Sequence, residues 1–264
     1  MRKFFSSLLL HRRFLVELTR RDVTAAYSGS VVGSLWVIVD PLIYVMLTLL
    51  FFQFAIRGAD TGGVPYVAWV MPVIIFWTFI NTVLGSSINA VREYSYLMRH
   101  TSFDMRLAML IKIFSASFVH AILMVIVLLA LALLLKVPMT WHTFALFYYY
   151  ACACLLLLAM GWMLAALGVF WKDMRNLVSI FLQLEFWLSP IFWEPERFPK
   201  PVAILMYMNP LYYPIHGYRA SVLSTDFGPQ FWIVTAYFWI LTVVLLWFSS
   251  RIFTRLSKSF GDVL

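Results

Sequence analysis

Apolar side chains fill five long windows of the chain, 35–56, 66–91, 108–135, 144–171 and 231–252, and polar residues gather between them. A membrane-crossing α-helix needs about 20 consecutive apolar residues at about 1.5 Å rise each, so each window predicts one span. A sixth window, 176–193, is shorter and contains Gln183 and Glu185. It runs into a stretch, Ser189 to Leu223, that is as aromatic as a span yet holds Pro190, Pro195, Pro199, Pro201, Pro210 and Pro214. Proline removes a backbone donor and clashes with the preceding turn, so no continuous helix fits there. The spacing predicts two short helices over 199–208 and 210–223, each with proline near its first turn, where it is tolerated. Backbone that enters a bilayer without crossing it must be covered by protein or line a wet cavity. A re-entrant hairpin over 195–224, between the last two spans, meets that condition.

Ahead of the first span, Phe4, Phe5, Leu8, Leu9, Leu15 and Leu18 fall near helical spacing, with Arg12, Arg13, Arg20 and Arg21 among them. This predicts an amphipathic helix within 1–30, lying in the membrane interface. A basic anchor that only sets topology fits the same residues. The start MRKFFSSLLLHRR has a broken apolar core and no small-residue cleavage site after it, so removal as a signal peptide is not expected. Between the second and third spans, 91–106 is longer than a simple turn requires. It mixes Arg92, Glu93 and Arg99 with Tyr94, Tyr96, Leu97 and Met98, which are expected to be exposed apolar knobs on a short helix that docks a cytoplasmic partner. A solvated loop supplying inside charge is the plainer alternative.

Composition agrees: 63% of residues are hydrophobic, 12% are charged and mean hydropathy is +0.87. Soluble domains carry roughly 45–50% apolar and about 25% charged residues. The whole chain, 1–264, therefore reads as one all-α integral membrane unit with six transmembrane helices. A net charge of +8 would suggest nucleic acid in a soluble protein. Here, with the amino terminus placed in the cytoplasm, 15 Lys and Arg fall inside and 5 outside, so no nucleic-acid partner is implied. That asymmetry places both termini in the cytoplasm. Cys152 and Cys154, two apart on one predicted helix, point away from each other and suit packing or lipid contact.

No Gly-x-x-x-x-Gly-Lys-Ser/Thr loop occurs, so energised work would need a nucleotide-binding partner. The five histidines are scattered and form no metal-ligand pair; only His120 falls at membrane depth. Polar groups at that depth usually face a bundle interior or a wet path. Three windows carry them in stripes: Trp36, Asp40, Tyr44 and Phe51; Trp77, Asn81, Gly85 and Asn89; and Glu185, Ser189 and Trp193. Aromatic faces with sparse hydrogen-bonding groups suit a conduit for sugars. Interhelical hydrogen bonding accounts for Asn81, Asn89 and Gln183 equally well.

The segment RRDVTAAYSGSVVGSLWVIVDPL, 20–42, resembles the opening signature of ABC-2-type permeases that export bacterial polysaccharides, with Arg21-Asp22, Tyr27, Ser30, Gly33, Leu35-Trp36 and Pro41-Leu42 in place. Val32 departs from the more usual Leu. FWKDMRNL (170–177), SPIFW (189–193) and NPLYYPIHGYR (209–219) resemble the family's later motifs in order, so the likeness covers nearly the whole chain. The resemblance implies a permease homodimer working with two copies of a separate ABC ATPase, which would bind ATP and Mg, so this chain would bind no cofactor. Its substrate would be a lipid-linked polysaccharide, O-antigen type first, and its surroundings the lipids of the bacterial inner membrane. The amino-terminal helix and 91–106 would contact the ATPase, and the stripes would line the channel. The hairpin would then be an extracytoplasmic gate, with Trp193, Tyr207, Tyr212, Tyr213 and Tyr218 offering surfaces to the emerging glycan around Asn209 and Pro210.

Other readings are an ABC-2 exporter of capsule, teichoic acid or small lipids and drugs, and a subunit that only anchors partners. From another class comes an intramembrane acyl- or glycosyltransferase using His120 or Glu185.

Overall fold

A computed structural model describes residues 2–25, 33–36, 39–40, 42–43, 46–47, 50, 65–100 and 103–264. The described residues form helices and no strands. Most of the first expected span, with Tyr44 and Phe51, lies outside them.

Four segments are long and apolar enough to cross a membrane: Tyr66–Ser87, Leu107–Leu133, Trp141–Phe170 and Phe231–Val263. The helix Tyr66–Ser87, α3 below, is the centre of the bundle. It packs against the helices at 107–133, 145–170, 174–188 and 212–223. Its apolar residues surround the axis instead of forming a stripe, as expected for a helix enclosed by protein. Pro72 sits inside it, a position that membrane helices tolerate when neighbours satisfy the freed backbone.

In chain order the helices are α1 (Arg2–Leu10), α2 (Arg12–Ala25), α3 (Tyr66–Ser87), α4 (Ala90–Glu93), α5 (Tyr96–His100), α6 (Leu107–Leu133), α7 (Ala145–Phe170), α8 (Met174–Leu188), α9 (Lys200–Met208), α10 (Tyr212–Leu223), α11 (Phe231–Leu256) and α12 (Phe260–Val263). The helix α2 buries Leu15 and Leu18 against α6 and turns Arg12, Arg13, Arg20 and Arg21 outward.

Close helix approach depends on glycine at two places. A Cβ on Gly168 of α7 would lie 2.5 Å from the Ile88 carbonyl oxygen, and one on Gly217 of α10 would overlap the Tyr149 ring.

The sixth expected span is shorter than the sequence suggests. Helix α8 has 15 residues and stops at Leu188, not Trp193. At about 1.5 Å per residue it extends roughly 22 Å, less than the roughly 30 Å of a hydrocarbon core. The cause is Pro190, which disfavours the helical region for the residue before it; Ser189 is extended at φ −75°, ψ 152°. Beyond it α9 and α10 occupy 200–208 and 212–223, within two residues of the expected pair.

Candidate functional site

Three polar constellations stand out in the apolar bundle. The first joins the amino-terminal helix to the rest of the chain. Lys112 Nζ lies 2.5 Å from Asp22 Oδ1 and 2.5 Å from Glu93 Oε2. Tyr94 donates its hydroxyl to the same Asp22 oxygen at 2.7 Å. Burial, and after it the hydrogen bond and charge of Asp22, push the Tyr94 phenol up, so it remains a donor. Beside this knot Arg106 chelates Asp104, accepts the Trp162 indole N–H on its carbonyl at 3.0 Å, and lies over the Phe4 ring at 5.4 Å. Both ends of the amino-terminal helical pair are thereby fixed to one side of the bundle.

The second is a pair of exposed polar edges. On α3, otherwise enclosed, Asn81, Thr82 and Gly85 are exposed, and Ser86 and Asn89 follow them half-buried. On α8, Met174, Val178, Leu182 and Glu185 face inward while Asn176, Ser179 and Gln183 are exposed. The two helices pack together, and their edges meet in a cavity of about 280 Å³ lined by Ile88, Asn89, Arg92, Gly168, Trp171, Lys172, Arg175 and Asn176.

The third pins the proline-rich segment. Arg219 is buried, with its guanidinium carbon 3.4 Å from the centre of the Trp69 ring. Its Nε donates to the Trp69 carbonyl at 3.2 Å, and Nη2 donates to the carbonyls of Pro190 and of Ile191, the latter at 2.8 Å. Tyr66 donates to the Phe192 carbonyl at 3.0 Å. The backbone that leaves the helix at Ser189 is therefore capped by side chains from α3 and α10, as burial of unpaired carbonyls requires. Asn209 adds a second tie: Nδ2 donates to Glu185 Oε2 at 2.6 Å and Ser189 Oγ at 3.2 Å, while Oδ1 accepts the Leu211 amide at 2.8 Å. SPIFW and NPLYYPIHGYR, remote in sequence, are one hydrogen-bonded unit.

The expected site residues divide accordingly. Among the channel candidates, Asp40 and Asn81 are exposed, and Trp36, Asn89 and Trp193 are half-buried. Trp77, Glu185 and Ser189 are buried in the chain, Glu185 because Asn209 holds it. The expectation that Tyr212, Tyr213 and Tyr218 offer open surfaces is corrected: they are 3%, 1% and 0% exposed. Tyr218 stacks on Phe76 at 4.1 Å and bonds His120 Nε2 at 3.0 Å, and Tyr213 stacks on Phe238 at 4.8 Å. Tyr207 and Pro210 are half-buried, with Tyr207 bonded to Glu196.

In the segment expected to dock a partner, 91–106, Tyr96, Arg92 and Glu93 are exposed and Met98 is half-buried. Tyr94 and Leu97 are buried, contrary to their expected role as knobs, because Tyr94 must reach Asp22. The side chain of Arg99 lies outside the described residues. The residues that sequence reasoning missed are Arg219, Lys112 and Thr82. Arg219 and Lys112 fall among the 5 outside and 15 inside cations that set the topology, although a lone cation in an apolar helical pattern is itself a signal of a buried partner.

Four apolar spans, one of them, Tyr66–Ser87, largely enclosed by the rest of the bundle, define a polytopic helical membrane protein. Residues 13–223 match the family described as ABC-2 type transporter, and the chain belongs to that family. Its curated relatives include the O-antigen export system permease protein RfbA of Myxococcus xanthus, 23% identical over 97% of this chain and 96% of the relative. RfbA of Klebsiella pneumoniae is 21% identical over 95% and 94%. The capsule polysaccharide export inner-membrane protein CtrC of Neisseria meningitidis serogroup A is 22% identical over 97% and 95%.

Proposed function

We propose that this chain is the permease subunit of an ATP-driven exporter that moves a lipid-linked polysaccharide, of O-antigen type, across the bacterial inner membrane. Two copies would face each other across a two-fold axis and work with two copies of a separate ATPase, both termini being cytoplasmic. The observation that carries this reading is the pair of exposed polar edges on α3 and α8, Asn81, Thr82, Asn176, Ser179 and Gln183, in a bundle that is otherwise apolar. A polar edge left facing hydrocarbon is costly, whereas one facing a second copy across a wet conduit is not. The names of the RfbA relatives support the O-antigen substrate, and those of the CtrC relatives make capsule the neighbouring choice.

The ATPase would dock on the exposed Glu93 and Tyr96, beside the half-buried Met98, with the Asp22–Lys112 knot holding the amino-terminal helix in reach. The hairpin, 195–224, would serve as the extracytoplasmic gate. Its exposed residues include Glu196, Arg197 and Lys200, beside Trp193 and Tyr207, and the apolar Ile204, Leu205 and Met208, but not the buried tyrosines of α10. No transferase reading is favoured, because His120 is bonded to Tyr218 and stacked on Tyr150 at 5.2 Å, and Glu185 is bonded to Asn209.

The test is reconstitution of the chain with a candidate partner ATPase from the same organism. Glycan should stimulate ATP hydrolysis, and Asn81→Leu with Gln183→Leu should abolish export while leaving the assembled complex intact. Full export by that double variant would defeat the conduit assignment.

A further inference from the structure

The 280 Å³ cavity where the polar edges of α3 and α8 converge carries an unusual charge. Arg92, Lys172 and Arg175 all line it, and no carboxylate does. Of the two nearby acids, Glu93 is paired with Lys112, and Asp173, between Lys172 and Arg175 in sequence, is exposed and not part of the lining. Among the described residues neither Lys172 nor Arg175 makes an ion pair, and Arg92 has one Nη2 bond, to the Val169 carbonyl at 2.9 Å. Asn89 and Asn176 add amide donors. The cavity also contains the first turn of α8, whose Asp173 makes no side-chain cap. The amides of a first helical turn have no intrahelical partners, and the helix dipole is positive there. Three cations, two amides and a helix amino terminus thus converge on one recess, at the level where the exposed Trp171 ends a membrane span. Tryptophan is enriched at membrane–water interfaces.

We propose that this recess binds the phosphate group of a lipid headgroup. Oxygen-rich anions make charge-assisted bonds to such a donor set. The recess opens onto the polar edge through Asn89 and Asn176, so a phosphate seated there places whatever it carries at the start of the proposed conduit. The shared chemistry is a lipid phosphate with net negative charge, which zwitterionic phosphatidylcholine lacks, supplied either by the phosphate joining a glycan to its lipid anchor or by a bulk anionic phospholipid. The first source rests on the transport reading; the second does not.

The full chain in phosphatidylcholine nanodiscs, with radiolabelled geranylgeranyl diphosphate as probe, provides the test. Lys172→Gln with Arg175→Gln should weaken binding about tenfold or more, since each removes a charge-assisted bond. Arg255→Gln with Lys258→Gln, two exposed cations outside the recess, should leave it unchanged, and geranylgeraniol, without phosphate, should not compete. Competition by phosphatidylglycerol assigns the site to phospholipid, and resistance to it assigns the site to the diphosphate-linked carrier. Competition by inorganic pyrophosphate at equal concentration would show that the lipid is irrelevant and overturn the proposal. Equal binding by wild type and the Lys172/Arg175 variant would also overturn it. So would loss of ATPase association with probe binding intact, which would give the cations to the protein interface. Binding needs no export, so a wild-type chain that binds the probe but exports no glycan refutes the transport reading alone.

Discussion

Replacing Lys112 with methionine tests how the amino-terminal helix is held. Methionine keeps most of the side-chain length and removes the charge. The Lys112 side chain is 8% exposed, its partner Asp22 is 16% exposed and Glu93 is 46% exposed. Breaking a buried ion pair by removing one partner costs about 3–5 kcal/mol, because the other charge remains buried. Asp22 keeps the Tyr94 hydroxyl and some water, so Lys112→Met falls at the lower end, about 3 kcal/mol. Asp22→Asn should cost about 2 kcal/mol, since Lys112 still has Glu93. Glu93→Gln should cost under about 1 kcal/mol, as for any half-exposed pair. The double variant Asp22→Asn with Lys112→Met should cost about 3 kcal/mol, not the additive 5, a coupling of about 2 kcal/mol. Unfolding by SDS in mixed micelles reads these differences. In the same samples Leu18→Cys, at a position now buried, should react faster with a thiol reagent once Lys112 is gone. Additive costs, or a Glu93 variant as damaging as the Lys112 variant, would show that the contact is an ordinary surface pair and refute this account.

Arg219→Lys keeps a cation but loses the planar fork that serves three carbonyls, so the 189–200 backbone should become protease-sensitive in folded protein, with stability lower by about 2–3 kcal/mol; unchanged proteolysis would refute the clamp. Asn209→Leu leaves Glu185 and the Leu211 amide without their partner and should cost about 2–4 kcal/mol, read by the same SDS titration, with Glu185→Gln in addition restoring part of the loss. Gly217→Ala drives a methyl group into the Tyr149 ring and should cost about 1–3 kcal/mol. Gly85→Ala meets nothing within 4 Å and should stabilise α3 by up to about 1 kcal/mol, so melting temperatures of the two should shift in opposite directions.

Much of this architecture is legible in sequence because it follows from length and periodicity. Twenty apolar residues can cross a bilayer wherever they occur, and proline breaks a helix whatever surrounds it. Hence the spans at 66–87, 107–133, 145–170 and 231–256 and the helices at 200–208 and 212–223 were all predictable to within a few residues at most boundaries. The pairings were not. Asp22 meets Lys112 across 90 residues, and Arg219 reaches Trp69 across 150. No local pattern encodes which carbonyl a distant guanidinium will cap. Aromatic residues misled for a related reason. Tyr212, Tyr213 and Tyr218 look like a surface for sugars, yet their rings fill the contact between α10 and its neighbours, and periodicity cannot tell a ring on a wet face from one in a protein interface. Conversely, α3 reads as apolar along most of its length, and only its packing reveals that Asn81, Thr82 and Gly85 share the open side.

The distribution of hydrogen bonds also decides how the hairpin could move. Relative to α3, a displacement would break the Arg219 bond to Trp69, its stacking on that ring, and, if 189–193 moved too, the Tyr66 bond to Phe192. Relative to α8 and the 189–193 segment, it would break two Arg219 bonds and two from Asn209, one of them to the buried Glu185 carboxylate. Bonds to charged groups contribute about 1.5–3 kcal/mol each and neutral ones about 1, so separation from α8 is the costlier by several kcal/mol. Helix α8 is itself too short to be anchored at both membrane faces and stands between two breaks, Trp171–Asp173 and Ser189–Pro190. A displacement of α8 would therefore carry the 189–193 segment with it, while α10 stays packed on α3 and α7 through Tyr218, stacked on Phe76, and Gly217, against Tyr149. Such a displacement would move Gln183 and Ser179 together with the 189–193 segment, so that the polar edge and the break at Pro190 would shift as one.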